Sequence, residues 1–289
     1  MTVIRSRGVR RAAFTLIELL VVIAIIAILV SLSAAGVMRV LIKIPEIQTR
    51  TDMSEMDSAL GSFMADYQLS DPPPSVLVLR EDMSYPAGDP SGDFLRRAFG
   101  RNLTPPIDWN GDGTLNGPWV LEGEQCLVFY LGGIQSMASG TPQCLGFSTN
   151  SMNPAMAGGS RRGPYMQFQG SRLVQGPSGF FVYLDAWKSK TSPLFSTLGG
   201  SPYAYFSSSG QNNTGYLTNG MKDCQSIGAL PYRDAGNNFA FSNKYQIISA
   251  GQNGQFGAGL WTPSAGAPDA AGRDDQANFS SRILGTGQQ

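Results

Sequence analysis

Hydrophobic and polar positions divide this chain into three unlike stretches. Residues 19–38 pass without a charge. As a helix, such a run measures about 30 Å, the thickness of a bilayer's hydrocarbon core. The pattern then changes. Val40, Leu41, Ile44, Ile47, Met53, Met56, Leu60, Phe63, Met64 and Tyr67 recur near helical spacing with polar residues between them. This predicts that the helix continues as an amphipathic stalk whose later face packs on a sheet. Pro45 is expected to kink it, and Asp71-Pro72-Pro73-Pro74 to end it. The third stretch runs from Pro72 to Gln289. Residues 91–100 read as a short capped helix with a terminal glycine. Residues 121–133 combine a strand-like apolar core with an acidic start and a Gly-Gly end, and the ends favour helix. Residues 179–184, 202–207 and 244–250 read as strands bounded by turn residues, with 165–168 as a fourth. The Gly/Ser/Asn-rich stretches 137–163 and 207–220 read as surface loops.

Composition adds to this picture. Charged residues make up only 15%, beside 35 Gly and 18 Pro, which suits a loop-rich globular part. The formal net charge is zero, but it is unevenly spread. Arg5, Arg7, Arg10 and Arg11 precede the apolar run with no acid among them. Subtracting those four from 21 basic residues leaves 17 against 21 acidic, a net of −4. A mildly acidic remainder argues against a nucleic-acid partner. The basic leader places the N-terminus in the cytoplasm and the rest across the membrane. A removable secretory signal would be cut near Ser33-Ala34-Ala35. The run is longer than the roughly 7–15 residues of a signal core, however, and it carries Glu18. A plain anchor explains the length but not Glu18, because an ionisable group at a membrane is costly and needs a partner.

Arg10-Arg11-Ala12-Ala13-Phe14-Thr15-Leu16-Ile17-Glu18-Leu19 resembles the class III signal of type IV prepilins and type II secretion pseudopilins. The resemblance implies that a membrane aspartyl peptidase removes a short basic leader on the cytoplasmic side. The new N-terminal residue is then N-methylated, and the apolar helix is kept as an assembly stalk. On this sequence the cut falls between Ala13 and Phe14, Phe14 is the methylated residue, and Glu18 becomes the fifth mature residue. The family prefers Gly before the cut, and Ala13 stands there instead. The resemblance also supplies a role for Glu18. Two opposite charges attract strongly in low dielectric, while each alone meets a large desolvation cost. In staggered subunits, Glu18 of one would meet the Phe14 amine of the next. Later blocks are similar to the major pseudopilin: Asp185-Ala186-Trp187, Pro202-Tyr203-Ala204-Tyr205, residues 245–254, and Asp274-Asp275-Gln276-Ala277-Asn278. Ala186 and Lys188 replace the family's Pro and Gly, an insertion separates the first two blocks, and Asn253 stands where an acid is usual. In that family these loops commonly hold calcium.

The middle of the chain holds Asp108-Trp109-Asn110-Gly111-Asp112-Gly113-Thr114-Leu115-Asn116. Asp-x-Asn-x-Asp-Gly is the first half of an EF-hand-like loop. Oxygens of Asp108, Asn110, Asp112 and Thr114 would converge on a hard cation, with Gly113 at the sharp turn, so Ca2+ is the cofactor this loop suits. The twelfth position should bring a bidentate acid but holds Trp119. Glu122 and Glu124 are the acids that would substitute. The same residues also suit an ordinary turn. Cys126, Cys144 and Cys224 are odd in number and show no zinc spacing. In an oxidising compartment Cys126–Cys144 is the more local bridge, worth about 3 kcal/mol; three buried free thiols are the other outcome. There is no histidine, which removes Ser-His and Cys-His nucleophiles and the common zinc sites. No Gly-x-Ser-x-Gly elbow or phosphate loop is present. Glycines 251, 254, 257 and 259 follow an expected strand but precede no helix-forming run, and Asp274-Asp275 reads as part of a polar tail. The chain is not expected to be an enzyme.

The expected fold class is therefore α+β. A long N-terminal helix, membrane-spanning in its first half, packs on a small antiparallel sheet with large loops, as in pilins. The expected organisation is a leader at 1–13, a membrane helix at 14–38, its continuation at 39–70 and a head at 71–289. The expected function is a structural subunit of a type II secretion pseudopilus or type IV pilus-like filament, with the late blocks favouring the pseudopilus. Its partners would be itself or other pilin-like subunits, the prepilin peptidase, the inner-membrane assembly platform and membrane lipid. It would sit in the bacterial inner membrane as a single pass, with the head in the periplasm, and enter a periplasmic or surface filament. The alternative is a membrane-anchored ligand-binding protein or adhesin that does not polymerise.

Overall fold

The computed structural model describes residues 15–138, 140–176, 178–187, 200–209, 215–216 and 223–286. The leader and the expected cut between Ala13 and Phe14 lie outside them. The chain divides into two units, Met1–Ile44 and Pro45–Gln289. Helix α1, Leu16–Asp66, enters both.

From Leu16 to Val30, α1 shows no amphipathic face. Every large apolar side chain from Leu16 to Val30 is exposed, Leu16 by 83% and Val30 by 62%. Such a surface is unsuited to water. Among the described residues, no helix is long and apolar enough to cross a membrane.

In the second unit the amphipathic pattern takes over. Met53, Met56, Leu60, Phe63 and Tyr67 are buried, and Met64 is half-buried against the same core. Their spacing of three and four residues sets them on one face. Ile44 and Ile47, earlier in the periodic run, are exposed. Pro45 lies inside the helix, which continues on both sides of it. The helix ends at Asp66, ahead of the prolines, in a Schellman motif. Leu69 N–H donates to the Met64 carbonyl at 2.8 Å, and Gln68 N–H to the Ala65 carbonyl at 3.2 Å. This requires a left-handed residue, and Gln68 supplies it with φ +52°.

The head is assembled from short elements. Strand β1 (Leu77–Leu79) is followed by helix α2 (Pro90–Phe99) and strand β2 (Trp119–Leu121). β1 and β2 pair antiparallel with Leu79 opposite Trp119. The Asp89 side chain caps α2 by accepting the Gly92 N–H at 2.9 Å. Helix α3 (Gly123–Gly132) settles the ambiguous stretch as helix after β2, and every residue in it is buried. Gly123 permits the approach, since a Cβ there would stand 1.9 Å from the Tyr205 carbonyl oxygen.

The stretch expected as a loop at 137–163 contains minimal pairings. β3 (Gln135–Ser136) pairs with β4 (Gln143–Cys144), and β5 (Phe147–Ser148) with β6 (Arg161–Arg162). β7 (Leu173–Gln175) pairs with β8 (Phe181–Tyr183). The largest sheet runs β11 (Gln276–Ala277), β10 (Tyr245–Ser249), β9 (Ala204–Ser207), all antiparallel. Both of its faces are covered. Tyr205 and Ile247 join the core of α1 and α3, while Ala204, Phe206 and Ile248 join Tyr232, Ala277 and Leu284 in a second cluster. That is why 202–207 reads as a continuous apolar run and not an alternating one. The fold is thus α+β with small antiparallel sheets and a long N-terminal helix.

Two expectations change. Residues 165–168 are not a strand. They dock singly: Tyr165 N–H donates to the Leu131 carbonyl at 2.7 Å, its hydroxyl donates to Asp66 at 2.9 Å, and the Phe168 ring meets Tyr183 at 5.0 Å. The C-terminal acids are not in a polar tail, because Asp275 is buried and its carbonyl accepts the Leu284 N–H at 2.8 Å.

One buried ion pair ties α1 into the head. Asp52 pairs with Arg172 and accepts the Tyr203 hydroxyl at 2.7 Å. Arg172 Nε donates to the Leu184 carbonyl at 2.9 Å, and its guanidinium lies 4.5 Å from the Tyr183 ring centre.

The Schellman motif yields a test. Gln68 is exposed, so Gln68→Gly removes left-handed strain without losing packing. It should stabilise the head by about 0.5–1 kcal/mol. Urea unfolding of the full chain in detergent measures this, and a lower midpoint would refute it.

Candidate functional site

The N-terminal end of α1 is built around Thr15 and Glu18. Glu18 Oε2 accepts both the Thr15 backbone N–H and the Thr15 hydroxyl hydrogen, each at 2.8 Å. Glu18 N–H in turn donates to Thr15 Oγ1 at 3.3 Å. This is a capping box, Thr-x-x-Glu, satisfying donors that the first turn leaves free. Glu18 therefore has a local structural role in addition to the one its resemblance implies. The Thr-x-x-Glu spacing is the sequence signal of such a cap. Phe14, the expected amine partner, lies outside the described residues, as does Ala13.

The loop expected to hold calcium is anchored from beneath. Trp109 is buried between Phe99 and Phe129, and its indole N–H donates to the Arg80 carbonyl at 3.2 Å. Above it the loop folds around its own acids. Asp108 accepts the N–H groups of Gly111 at 2.7 Å and Gly113 at 2.8 Å. Asn110 Oδ1 accepts the Asp112 N–H at 3.2 Å. Asp112 accepts from the Thr114 N–H at 2.7 Å and hydroxyl at 2.6 Å, and from the amides of Asn110 at 2.8 Å and Asn116 at 2.9 Å. Those bonds, the Thr114 hydroxyl first, hold its carboxyl well below the usual range. Gly113 takes φ +78°, the turn expected of the sixth position. Among the described residues, no group of three or more His, Cys, Asp or Glu side chains is gathered as a metal centre.

The proposed substitutes for the twelfth position are engaged elsewhere. Glu122 accepts the Ser226 N–H at 2.7 Å, and Glu124 accepts the Ser226 hydroxyl at 2.7 Å. The acid that does reach the loop is Glu81, which accepts the Asn116 N–H at 2.6 Å. Burial, then repulsion by Asp108 and Asp112, raises its pKa. Nothing in the sequence signals Glu81, because only the β1–β2 pairing brings it there.

The Cys126–Cys144 bridge is not formed, and all three cysteines are free thiols. Cys126 Sγ lies 3.6 Å from the Leu121 carbonyl oxygen. Cys144 packs at the other end of α3, where a Cβ on Gly132 would stand 2.5 Å from its sulfur. Six helical residues separate those positions, about 9 Å along the axis, beyond the span of a disulfide.

The blocks similar to the major pseudopilin converge at one end of the β9–β10–β11 sheet. Asp185 accepts the Trp187 N–H at 3.1 Å and the Ser249 hydroxyl at 2.6 Å. Asn253 fills the space between the late loops. Its backbone N–H and side-chain amide donate to Asp274 at 2.6 and 2.5 Å, and the amide also donates to the Ala271 carbonyl at 2.8 Å. An amide donor thus faces Asp274 where the family's calcium loops carry an acid.

The sequence model described as the prokaryotic N-terminal methylation motif matches residues 9–34. This motif is the class III signal of the type IV prepilins and pseudopilins, and it marks a prepilin-peptidase substrate of that kind. The match is confined to the N-terminal segment. No curated protein and no solved structure matches the chain.

Three buried acids give the head a pH dependence. Burial pushes Glu124, Asp185 and Asp275 each up to about 7. Their unfolded values lie near 4, so the fold holds protons the unfolded chain has released. Their stabilising contribution is complete below about pH 4 and is lost as pH rises through about 7. At full shift each is worth roughly 4 kcal/mol. The full chain should therefore resist urea better at pH 5 than at pH 8. Asp275→Asn keeps the acceptor for the Tyr232 hydroxyl at 2.6 Å and the Gly257 N–H at 3.0 Å, and should flatten that dependence. Higher stability at pH 8 would contradict the assignment.

Proposed function

We propose that this chain is a structural subunit of a type II secretion pseudopilus, or of a closely similar type IV pilus-like filament. The observation that carries the reading is the methylation motif at residues 9–34, with Glu18 at the first turn of a helix whose large apolar side chains from Leu16 to Val30 are all exposed. Cleavage between Ala13 and Phe14 releases a charged, then methylated, amine on Phe14. The uncharged run 19–38 is held in the inner membrane before assembly, with the head in the periplasm. In the filament, the exposed apolar faces of neighbouring α1 helices replace lipid for one another. Glu18 of one subunit meets the Phe14 amine of the next. A register error would leave both charges unpaired in a low-dielectric setting, which is far costlier than the loss of a few apolar contacts.

The head is a packed body with no catalytic role. The chain has no histidine. The buried acids Glu124, Asp185 and Asp275 all receive hydrogen bonds from neighbouring groups of the fold. Its partners are other pilin-like subunits, the prepilin peptidase and the inner-membrane assembly platform.

Intact N-terminal mass spectrometry on protein from native membranes should find a chain that starts at N-methylated Phe14. A start near Ala34 or Ala35 would mean that the helix is discarded, and the filament reading would fall.

The capping box sharpens the test of Glu18. Glu18→Ala removes both the charge and the cap, but Glu18→Gln keeps the cap, because Gln serves equally at that position. Both variants should be cleaved and remain in the membrane fraction, and both should lose filaments by electron microscopy. Filaments from Glu18→Gln at wild-type abundance would show that the charge does not set the register.

A further inference from the structure

We propose that Glu81 and the loop 108–116 together form a calcium site, in which Glu81 supplies the acid that the loop's own twelfth position lacks. The inference is independent of filament assembly.

Topology brings the two together. After Asn116 the loop passes Gly117 and Pro118 into β2 and not into a helix, so Trp119 falls in the strand. There its ring meets Phe180 at 6.1 Å, leaving no ligand at that position. The same strand pairs with β1, Leu79 opposite Trp119. Two residues further along an antiparallel pair, Glu81 comes opposite Gly117, at the end of the loop. The carboxylate missing from the chain's own continuation is delivered from across the ladder.

Glu81 is also built as an incomplete site. It is only 2% exposed. One oxygen takes the Asn116 N–H, while Oε1 has no hydrogen-bond partner. A buried carboxylate left this way is costly unless something positive answers it. No side chain does. The ion pairs among the described residues are Arg50–Glu46, Arg96–Asp93 and Arg172–Asp52, none of which reaches Glu81, Asp108 or Asp112.

The donor chemistry fits a hard cation. Asp108, Asn110, Asp112, the Thr114 carbonyl, Asn116 and Glu81 offer oxygen only, with no imidazole or thiolate. Ca2+ accepts six to eight such oxygens in flexible geometry, whereas Mg2+ demands a tighter octahedron. The loop N–H bonds to Asp108 and Asp112 already orient those carboxylates. In the cation-free arrangement the amides of Asn110 and Asn116 donate to Asp112, and the carboxylates of Glu81, Asp108 and Asp112 are not gathered on one point; binding turns the amide oxygens inward and draws the carboxylates together. A cleft of about 490 Å³, lined by Glu81, Asn116, Pro106 and Leu115 among others, gives access from solvent.

The test uses the full chain in detergent, stripped with a chelator and titrated with calcium chloride by calorimetry. One ion should bind per chain with a Kd of roughly 10⁻⁴–10⁻³ M, the range of extracellular modules. Glu81→Gln preserves the shape and the acceptor for Asn116. It should weaken binding at least tenfold, about the least that loss of a ligand or its support costs, and remove the calcium-dependent rise in Tm while leaving the chelated Tm near wild type. Asp112→Asn, on the exposed side of the loop, should weaken binding comparably, so the result does not rest on one variant. Glu124→Gln should leave binding unchanged. Absence of binding at millimolar calcium, wild-type affinity in Glu81→Gln, or equal affinity for Mg2+ would each overturn the proposal.

Discussion

A carboxylate taken out of water costs several kcal/mol unless something answers its charge, and the acids of this chain differ chiefly in what answers them. Asp52 has a guanidinium and a phenol, drawn from β7 and β9 regions that are 120 and 151 residues away. That pair commits α1 to one seat on the head, because slipping the helix by a turn would leave both ions buried and alone. Glu124, Asp185 and Asp275 have only neutral donors, and they settle the matter by holding protons. Glu81 has one amide for two oxygens. Glu18 has a cap. The Asp52 arrangement is complete within the fold, and those of Glu81 and Glu18 leave room for a charge from outside.

Periodic elements were legible in the sequence, and elements fixed by distant pairing were not. The α1 face from Met53 to Tyr67, the capped helix α2 and the strands β8, β9 and β10 each carry their own pattern. A two-residue strand such as β5 or β11 has too few positions to show a period. Residues 165–168 look strand-like because Tyr165, Met166 and Phe168 are apolar, but Tyr165 docks on α1 and α3 while Phe168 packs on β8. Cys126 and Cys144 are near in sequence yet sit at opposite ends of α3, which only the helix geometry reveals. The Asp108 loop was visible as a motif, whereas Glu81 required the register of β1 against β2.

Helix α1 also shows why one hydrophobic pattern can mislead. Read as a single periodic run, Ile44 and Ile47 belong with Met53 and Met56. In the structure they are exposed, and burial begins with Thr49, Asp52 and Met53. Upstream, residues such as Ile23 and Leu29 are apolar on every side. A helix that packs on one protein face needs a stripe, and a helix surrounded by lipid or by other helices needs none. Pro45 falls where one requirement gives way to the other.

The capping box bears on how a filament subunit can wait before assembly. A bare carboxylate at the start of an apolar helix would favour leaving the membrane surface for water. Here both Thr15 donors fall on Glu18 Oε2, and the positive end of the helix dipole adds a further attraction. A carboxylate has about four acceptor positions on two oxygens, so these two bonds leave Oε1 free to take an ammonium. On the proposed reading, Glu18 need not surrender its cap to gain the amine of a neighbouring Phe14. The charge pair is then added to an acid already oriented, and the ordering cost of docking is correspondingly lower.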